Sequence, residues 1–288
     1  MVLVKKGDQI HLGYYKPQKQ EDLLILFQPC MYNKLMTFYK VGFATNKSSQ
    51  VLLNADRPIE RLVNHAHSDN VGPIGIANYG FHGGNHSFRE RGKTRTAKMD
   101  KYQLVVDGTP LYNDTTLRFH TLEVKVENTL FYGEEDVPDT TYILSTPLAK
   151  ESVLYTIHNG VIEVETSLTF KNRKPLTVER YYGAQSMFIG DSIRVLPSTD
   201  FSFQKRVAKN VLKKENPKLH TFIQKKNEND YETVYLDPTV GIGDHSLIAE
   251  DKPILISAGY GKVYHTLIFN HQVTKGDKIN WRAIYSWE

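Results

Sequence analysis

The segment from Asn64 to Phe88 concentrates the residue types in this chain that could carry chemistry. Four of the protein's 11 histidines lie in it, at positions 65, 67, 82 and 86, and five glycines are interspersed among them. Imidazoles and amides exchange protons and hydrogen bonds near neutral pH, and glycines let a ligand or another backbone approach closely. Because each buried polar group needs a partner, this clustering indicates a functional loop rather than a purely structural turn.

Five residues of this segment are candidate site residues. Catalytic roles are predicted for His67, His82 and His86, and contacts with a substrate are predicted for Asn70 and Asn85. The histidines could act as general acids or bases, and the two amides could hydrogen-bond to charge that develops on a substrate.

A metal site is the first alternative for these histidines. His65 and His67 would share one face of a strand, and His82 and His86 would share one face of a helix. Gly83-Gly84 argues against that helix, and the chain has neither an H-E-x-x-H motif nor paired thiolates. Nucleophile-elbow and phosphate-binding patterns are missing as well. We therefore predict neither a metal ion nor another cofactor.

A second group of candidates follows in the middle of the chain, in the run Glu179–Phe188. Tyr181 and Tyr182 are predicted to be catalytic, and Arg180 is predicted to bind substrate. Tyrosine can act as an acid or a base, and a neighbouring arginine favours the ionised form of a phenol. Since side chains alternate along a strand, one of the two tyrosines should point into the core.

The charge distribution predicts an anionic partner. The net charge is only +4, but the stretch Lys205–Lys226 holds eight Lys or Arg residues against one Glu. A second basic stretch, Arg89–Lys101, follows the histidine-rich segment directly, and Arg89 is a candidate substrate-binding residue. Such patches raise the local concentration of an anionic polymer. We expect an anionic polymer as a partner and no nucleic acid.

The remaining composition narrows the class of protein. A single cysteine, Cys30, rules out an intramolecular disulfide. No apolar run approaches the roughly 20 residues of a membrane span, and we expect no membrane partner. The first residues lack the order of a signal peptide, so we expect an intracellular protein, a virion-associated one, or a secreted form without its leader.

Strand signals dominate the chain and predict an all-β fold. Asn159-Gly160 and Asp107-Gly108 separate strand-like runs and are typical of tight hairpin turns. A short helix is predicted only over Arg57–His65, and the run Phe201–Leu219 fits either helix or strand. We predict one domain over residues 1–288, a large antiparallel β-sandwich with few short helices. Further strands are predicted at Lys34–Phe43, Leu117–Tyr132, Thr177–Phe188, Tyr231–Leu236, Ile254–Ala258, Val263–Phe269 and Ile279–Tyr285.

Two motifs resemble known carbohydrate enzymes. Phe81-His82-Gly83-Gly84, placed after an early strand region, resembles the galactose mutarotase-like super-sandwich of aldose 1-epimerases and several polysaccharide lyases. The pattern Ser68–Ile74 leading to Gly83–His86 is more similar to polyuronate-type lyases. The resemblance implies a super-sandwich fold and a carbohydrate substrate, and together with the basic stretches it implies an acidic polysaccharide or oligosaccharide.

The resemblance leaves three functions open. Epimerases place a second histidine in a mid-chain strand and a glutamate late in the chain. Here the run Glu179–Phe188 has no histidine, and Glu250 is a possible late acid. A lyase that cleaves a uronate polymer by β-elimination fits better, because it needs a group that neutralises the carboxylate, a base and an acid. The third function is a non-catalytic carbohydrate-binding or virion protein.

Overall fold

The computed structural model describes residues 1–48, 50–65, 70–85, 95–132, 146–197, 202–205, 207–258 and 261–288. These residues contain 22 strands, two short 3-10 turns and no α-helix. The strands are β1 (Val2–Lys6), β2 (Gln9–Lys16), β3 (Glu21–Cys30), β4 (Leu35–Thr45), β5 (Arg61–His65), β6 (Ile74–Ile76), β7 (Gly80–His82), β8 (Ala97–Val106), β9 (Thr109–Leu111), β10 (Thr115–Arg118), β11 (Thr121–Tyr132), β12 (Thr146–His158), β13 (Val161–Phe170), β14 (Leu176–Met187), β15 (Ser192–Leu196), β16 (Gln204–Lys205), β17 (Lys209–Leu212), β18 (Thr221–Asn227), β19 (Asp230–Leu236), β20 (Pro253–Ser257), β21 (Lys262–Val273) and β22 (Lys278–Trp287). The all-β prediction is confirmed.

Three antiparallel sheets form the sandwich. The first sheet has the order β10-β1-β2-β3-β4-β5, and the second six-stranded sheet has the order β17-β20-β21-β14-β6-β7. A ten-stranded sheet runs β16-β15-β18-β19-β22-β13-β12-β11-β8-β9. An isolated bridge between Asn64 and Phe188 joins the two six-stranded sheets.

The core lies where both six-stranded sheets meet the ten-stranded sheet. Phe38 of β4 packs edge-on against Tyr155 and Tyr285, with ring centroids 6.2 and 5.1 Å apart. Tyr181 of β14 contacts Trp281 of β22 through a hydrogen bond. All five side chains are at most 2% exposed. Edge-to-face contacts of this kind add to the free energy gained by burying the rings.

The predicted hairpins are present, and their turns adopt the expected conformation. Asn159 and Gly160 have φ angles of 48° and 75°, and Asp107 and Gly108 have 47° and 80°. Positive φ at both central residues is what a type I′ turn requires, and it matches the twist of the flanking strands. Local turn chemistry therefore sets the pairing of β12 with β13 and of β8 with β9.

The predicted helix over Arg57–His65 is wrong. Residues 61–65 form β5, which pairs with β4 so that Arg61 lies opposite Phe43 and Leu62 opposite Gly42. Arg61 also binds Glu21 at 2.8 Å and Asp230 at 2.8 Å. These partners are distant in the sequence, and their pairing outweighs the local helical pattern. The ambiguous run Phe201–Leu219 forms β16, β17 and a 3-10 turn where it is described.

Candidate functional site

Strand pairing brings the histidine-rich segment next to the mid-chain arginine and tyrosines. In the second six-stranded sheet, Arg180 of β14 lies opposite Gly75 of β6, which in turn lies opposite Phe81 of β7. Tyr181 is aligned in the same way with Ile74 and then with His82. The two predicted halves of the site are therefore two strands apart in one sheet.

Arg180 and Tyr182 form a direct pair on the outer side of this sheet. The guanidinium Nη1 of Arg180 donates a hydrogen bond to the Tyr182 hydroxyl at 2.7 Å, and its Cζ lies 5.6 Å from the centre of the tyrosine ring. Cζ is also 5.1 Å from the Phe269 ring. The pair is partly accessible to solvent, and the rings around the guanidinium hold its charge in place.

Three aromatic rings form a row across this face, which we call the ring row: Phe81, Tyr182 and Tyr264. The Phe81 and Tyr182 rings stack with centroids 5.6 Å apart, and the Tyr182 and Tyr264 rings are 4.5 Å apart. Phe81 is 38% exposed, so the row has an accessible end. At its other end the Lys262 ammonium lies 5.1 Å from the Tyr264 ring. The accessible part of this face is thus the ring surface of Phe81 and Tyr182 beside the Arg180 cation, whereas Tyr264 and Lys262 are buried.

Glycines of the histidine-rich segment make room for the ring row. A Cβ atom at Gly75 would lie 3.1 Å from the Phe81 ring, so glycine lets the ring lie over β6. A Cβ atom at Gly72 would lie 1.8 Å from the carbonyl oxygen of Tyr182. Only a glycine permits so close an approach of two backbones.

Four of the predicted site residues point inward instead. Tyr181 is fully buried and accepts a hydrogen bond from Trp281 Nε1 at 2.9 Å. Burial raises the pKa of Tyr181 well above its usual value. His82 is fully buried and its Nε2–H donates to the Tyr79 carbonyl at 2.9 Å. Burial lowers the pKa of His82 to about 4, against hydrogen bonds that favour the charged form. His82 is therefore neutral near pH 7.

The two predicted substrate-binding asparagines fasten the segment to β4. Asn85 accepts a hydrogen bond from the backbone N–H of Leu35 at 2.9 Å, and Asn70 donates one to the Phe38 carbonyl at 2.7 Å. Asn85 also donates to the Cys30 sulfur at 3.2 Å. Both asparagines are at most 3% exposed. Their amides hold the loops in place around the ring row.

Three predicted site residues lie outside the described residues: His67, His86 and Arg89. Their roles stay predictions. Glu250, considered as a late acid, has a side chain that is 64% exposed and pairs with Lys213 at 3.2 Å. In the part of the chain that the structure describes, no group of three or more histidine, cysteine or acidic residues could hold a metal ion. No helix of the described residues is long and apolar enough to span a membrane.

Three residues of this face were not predicted as site residues: Phe81, Tyr264 and Lys262. Phe81 could have been found, because it alternates with His82 on a strand and must take the opposite face. Tyr264 and Lys262 become neighbours of Tyr182 only through the pairing of β21 with β14. No local pattern marks them.

A buried carboxyl group, Glu232, was also missed. It is fully buried, and its oxygens accept hydrogen bonds from Asn64, Ser186, Gln224 and Trp287. Burial raises the pKa of Glu232 and the four donors lower it, with a net value of about 7. These contacts join β5, β14, β18 and β22, so this one carboxyl links all three sheets.

Comparisons with known proteins identify similar solved structures only. No family model matches the chain, and no curated protein does. The alpha-galactosidase from Lactobacillus brevis is 10% identical with a TM-score of 0.47, over 97% of this chain and 39% of its own. The GH36 alpha-galactosidase AgaA from Geobacillus stearothermophilus is 10% identical with a TM-score of 0.48, over 97% of this chain and 40% of its own. The galactosidase domain of the alpha-galactosidase-sucrose kinase AgaSK is 10% identical with a TM-score of 0.46, over 96% of this chain and 42% of its own. The chain thus spans about two fifths of the length of these structures.

Proposed function

We propose that this protein binds an acidic carbohydrate on the ring row and cleaves it by β-elimination. The observation that carries the proposal is the Arg180–Tyr182 hydrogen bond at 2.7 Å beside the stacked rings. The ring faces suit the apolar faces of sugar rings. Arg180, which is partly accessible and lies against the Tyr182 ring, supplies positive charge for the carboxylate of a uronate.

The β-elimination of a uronate polymer moves one proton off C5 and one onto the leaving oxygen. The C5–H bond breaks, its electron pair forms the C4–C5 double bond, and the C4–O bond to the next sugar breaks. A cation beside the carboxylate stabilises the charge that develops during proton removal. We assign this role to Arg180, and we assign a proton transfer at the hydroxyl of Tyr182. His67 and His86 stay candidate bases in this proposal, and Arg89 stays a candidate contact for the polymer.

The inward-pointing candidates have a positioning role in this proposal. His82, Asn85, Asn70 and Tyr181 are buried and hydrogen-bonded to groups of the protein. A group that is closed off from solvent in this way acts on a ligand through the strands it holds. Tyr182, whose hydroxyl meets Arg180 on the outer face, is the phenol that we place next to the substrate.

The test is turnover of a panel of uronate polymers, followed by the ultraviolet absorbance of the unsaturated product. We expect a rise with at least one polymer, and a loss of about 100-fold or more in Tyr182→Phe. Tyr181→Phe removes the same atom from the inner face and is the matched control. It should keep most of its turnover, because the ring that packs in the core stays in place, while losing about 1–2 kcal/mol of stability, because the Trp281 N–H loses its acceptor. Reducing ends that increase without the absorbance band would indicate hydrolysis. Full activity in Tyr182→Phe would show that the site assignment is wrong.

Non-catalytic carbohydrate binding is the second candidate function. It is favoured by the ring row itself, since stacked rings with an exposed Phe81 can hold a sugar without any proton transfer. It predicts retention on a polymer-containing affinity gel, loss of that retention in Phe81→Ala, and no product with any polymer. The same gel run beside the absorbance assay separates the two functions.

A further inference from the structure

A cleft of about 240 Å³ opens between an edge of the ten-stranded sheet and an edge of the second six-stranded sheet. Residues of β15 and β16 line it on one side, and residues of β17 and β20 on the other. Its lining is rich in aliphatic side chains, namely Ile193, Val195, Val207, Val211 and Leu255. Val207 is 53% exposed, so apolar surface is open to solvent here.

Among the described residues, the charged side chains that line this cleft are Arg194, Lys205 and Lys209, and all three are cations. Lys205 belongs to β16 and Lys209 to β17, so each sheet edge contributes one lysine. Neither lysine has an ion-pair partner among the described residues. Arg194 packs over the ring of Phe203, at 5.1 Å from Cζ to the ring centre. Positive charge beside a low-dielectric lining favours an anionic ligand.

We propose that this cleft binds a small amphipathic carboxylate, with its aliphatic part against the apolar lining and its anionic head at Lys205 and Lys209. The volume lies below the roughly 300–1,000 Å³ of pockets for drug-sized ligands, which indicates a short molecule. A sugar acid would direct several hydroxyls at aliphatic carbon, where the described lining adds only Ser202, Gln204 and Ser257 as uncharged polar side chains. An inorganic anion would leave the aliphatic lining in water. An alkyl carboxylate satisfies both parts of the lining.

The test is calorimetric titration of the full chain with butanoate, hexanoate and octanoate. Because each buried methylene is stabilised by the hydrophobic effect, affinity should rise about fourfold per added methylene. Octanol, which lacks the charge, and glucuronate, which lacks the alkyl chain, should both bind more weakly than octanoate.

Two lysine variants locate the binding in the cleft. The double variant Lys205→Gln, Lys209→Gln should weaken octanoate binding about tenfold, since two exposed charge interactions are lost. The matched control, Lys275→Gln with Lys278→Gln, removes the same charge from exposed positions on another strand and its turn, and should bind octanoate as the unaltered protein does. Affinity that does not depend on chain length, or glucuronate binding as tightly as octanoate, would overturn the proposal. So would unchanged octanoate binding in the cleft variant.

Discussion

Replacing Glu232 by glutamine tests how the buried carboxyl at the junction of the three sheets is held. Two effects oppose each other at this group. Burial disfavours the carboxylate, and donors from Asn64, Ser186, Gln224 and Trp287 favour it. The net result raises the pKa of Glu232 from 4.5 to about 7. The folded protein therefore binds this proton more tightly than the unfolded chain does.

The sign and size of the effect on stability follow from this difference. Well below pH 4.5 the carboxyl group is protonated in both the folded and the unfolded state, so its ionisation does not change the free energy of unfolding. As the pH rises from 4.5 to 7, the unfolded chain releases the proton first, so the folded state loses stability relative to it. The difference between 4.5 and about 7 corresponds to a loss of about 3 kcal/mol in the free energy of unfolding, and this loss is complete above pH 7. A glutamine at this position has no proton to release.

The assay is urea unfolding of the unaltered protein and of Glu232→Gln at several pH values from 4.5 to 7.5. The stability of the variant minus that of the unaltered protein should rise by about 3 kcal/mol over this range. Asp237→Asn is the control. Burial raises the pKa of Asp237, but hydrogen bonds from Thr239 and Arg282 outweigh it and lower the value to about 2. The stability of Asp237→Asn minus that of the unaltered protein should therefore stay constant between pH 4.5 and 7.5. If the stability of Glu232→Gln relative to the unaltered protein fell with rising pH, the raised pKa of Glu232 would be refuted. Such a result would mean that the four hydrogen-bond donors outweigh burial.

Two further predictions concern other buried groups. Burial lowers the pKa of His265 well below 6.5 and that of His245 to about 4. The contribution of these two histidines to the free energy of unfolding should therefore fall as the pH drops from 6.5 towards 4, opposite in direction to that of Glu232. His265→Phe should make this fall shallower, measured as the urea midpoint at pH 7 and pH 5, and an unchanged pH dependence would contradict it. Gly72→Ala should lower the thermal midpoint strongly, because its Cβ would lie 1.8 Å from the Tyr182 carbonyl oxygen. Gly75→Ala would place its Cβ 3.1 Å from the Phe81 ring and 3.3 Å from the Arg180 carbonyl oxygen, a milder overlap, and should cost less; equal losses would show that the 1.8 Å backbone contact is not what requires glycine at position 72.

The parts of the fold that could be predicted from the sequence are those with local causes. Asn159-Gly160 needs no distant partner to form its turn, and the alternation along Val161–Phe170 follows from the strand period of two. The run at residues 57–65 shows the opposite case. Its local pattern favours a helix, but Arg61 has its partners at Glu21 and Asp230. No local window of the sequence contains those contacts.

For the candidate site, too, local sequence shows which residues are unusual, but distant contacts decide where their side chains lie. Asn85 and His82 were recognisable as unusual because polar residues and glycines cluster around them, but their residue types do not say whether they face a ligand or the interior. Burial and the hydrogen bonds to Leu35 and Tyr79 show that they face the interior. Tyr264 follows Tyr182 by 82 positions (264 − 182) and becomes its neighbour only after β21 has paired with β14.

The inner and outer faces of the sheet that contains β14, β6 and β7 are nevertheless coupled through its backbone. The N–H of Gly72 donates to the Gly183 carbonyl at 3.0 Å, and the N–H of Tyr182 donates to the Pro73 carbonyl at 3.3 Å. The backbone next to Tyr182 is thus fixed by the segment that carries the histidines. A side chain on the inner face can therefore shift the ring row without touching a ligand, through the pairing of β14 with β6 and of β6 with β7. For this reason loss of activity in a variant of His82 or Asn85 would not show that these residues meet the substrate, whereas loss in Tyr182→Phe with an unchanged fold would place the chemistry at Tyr182.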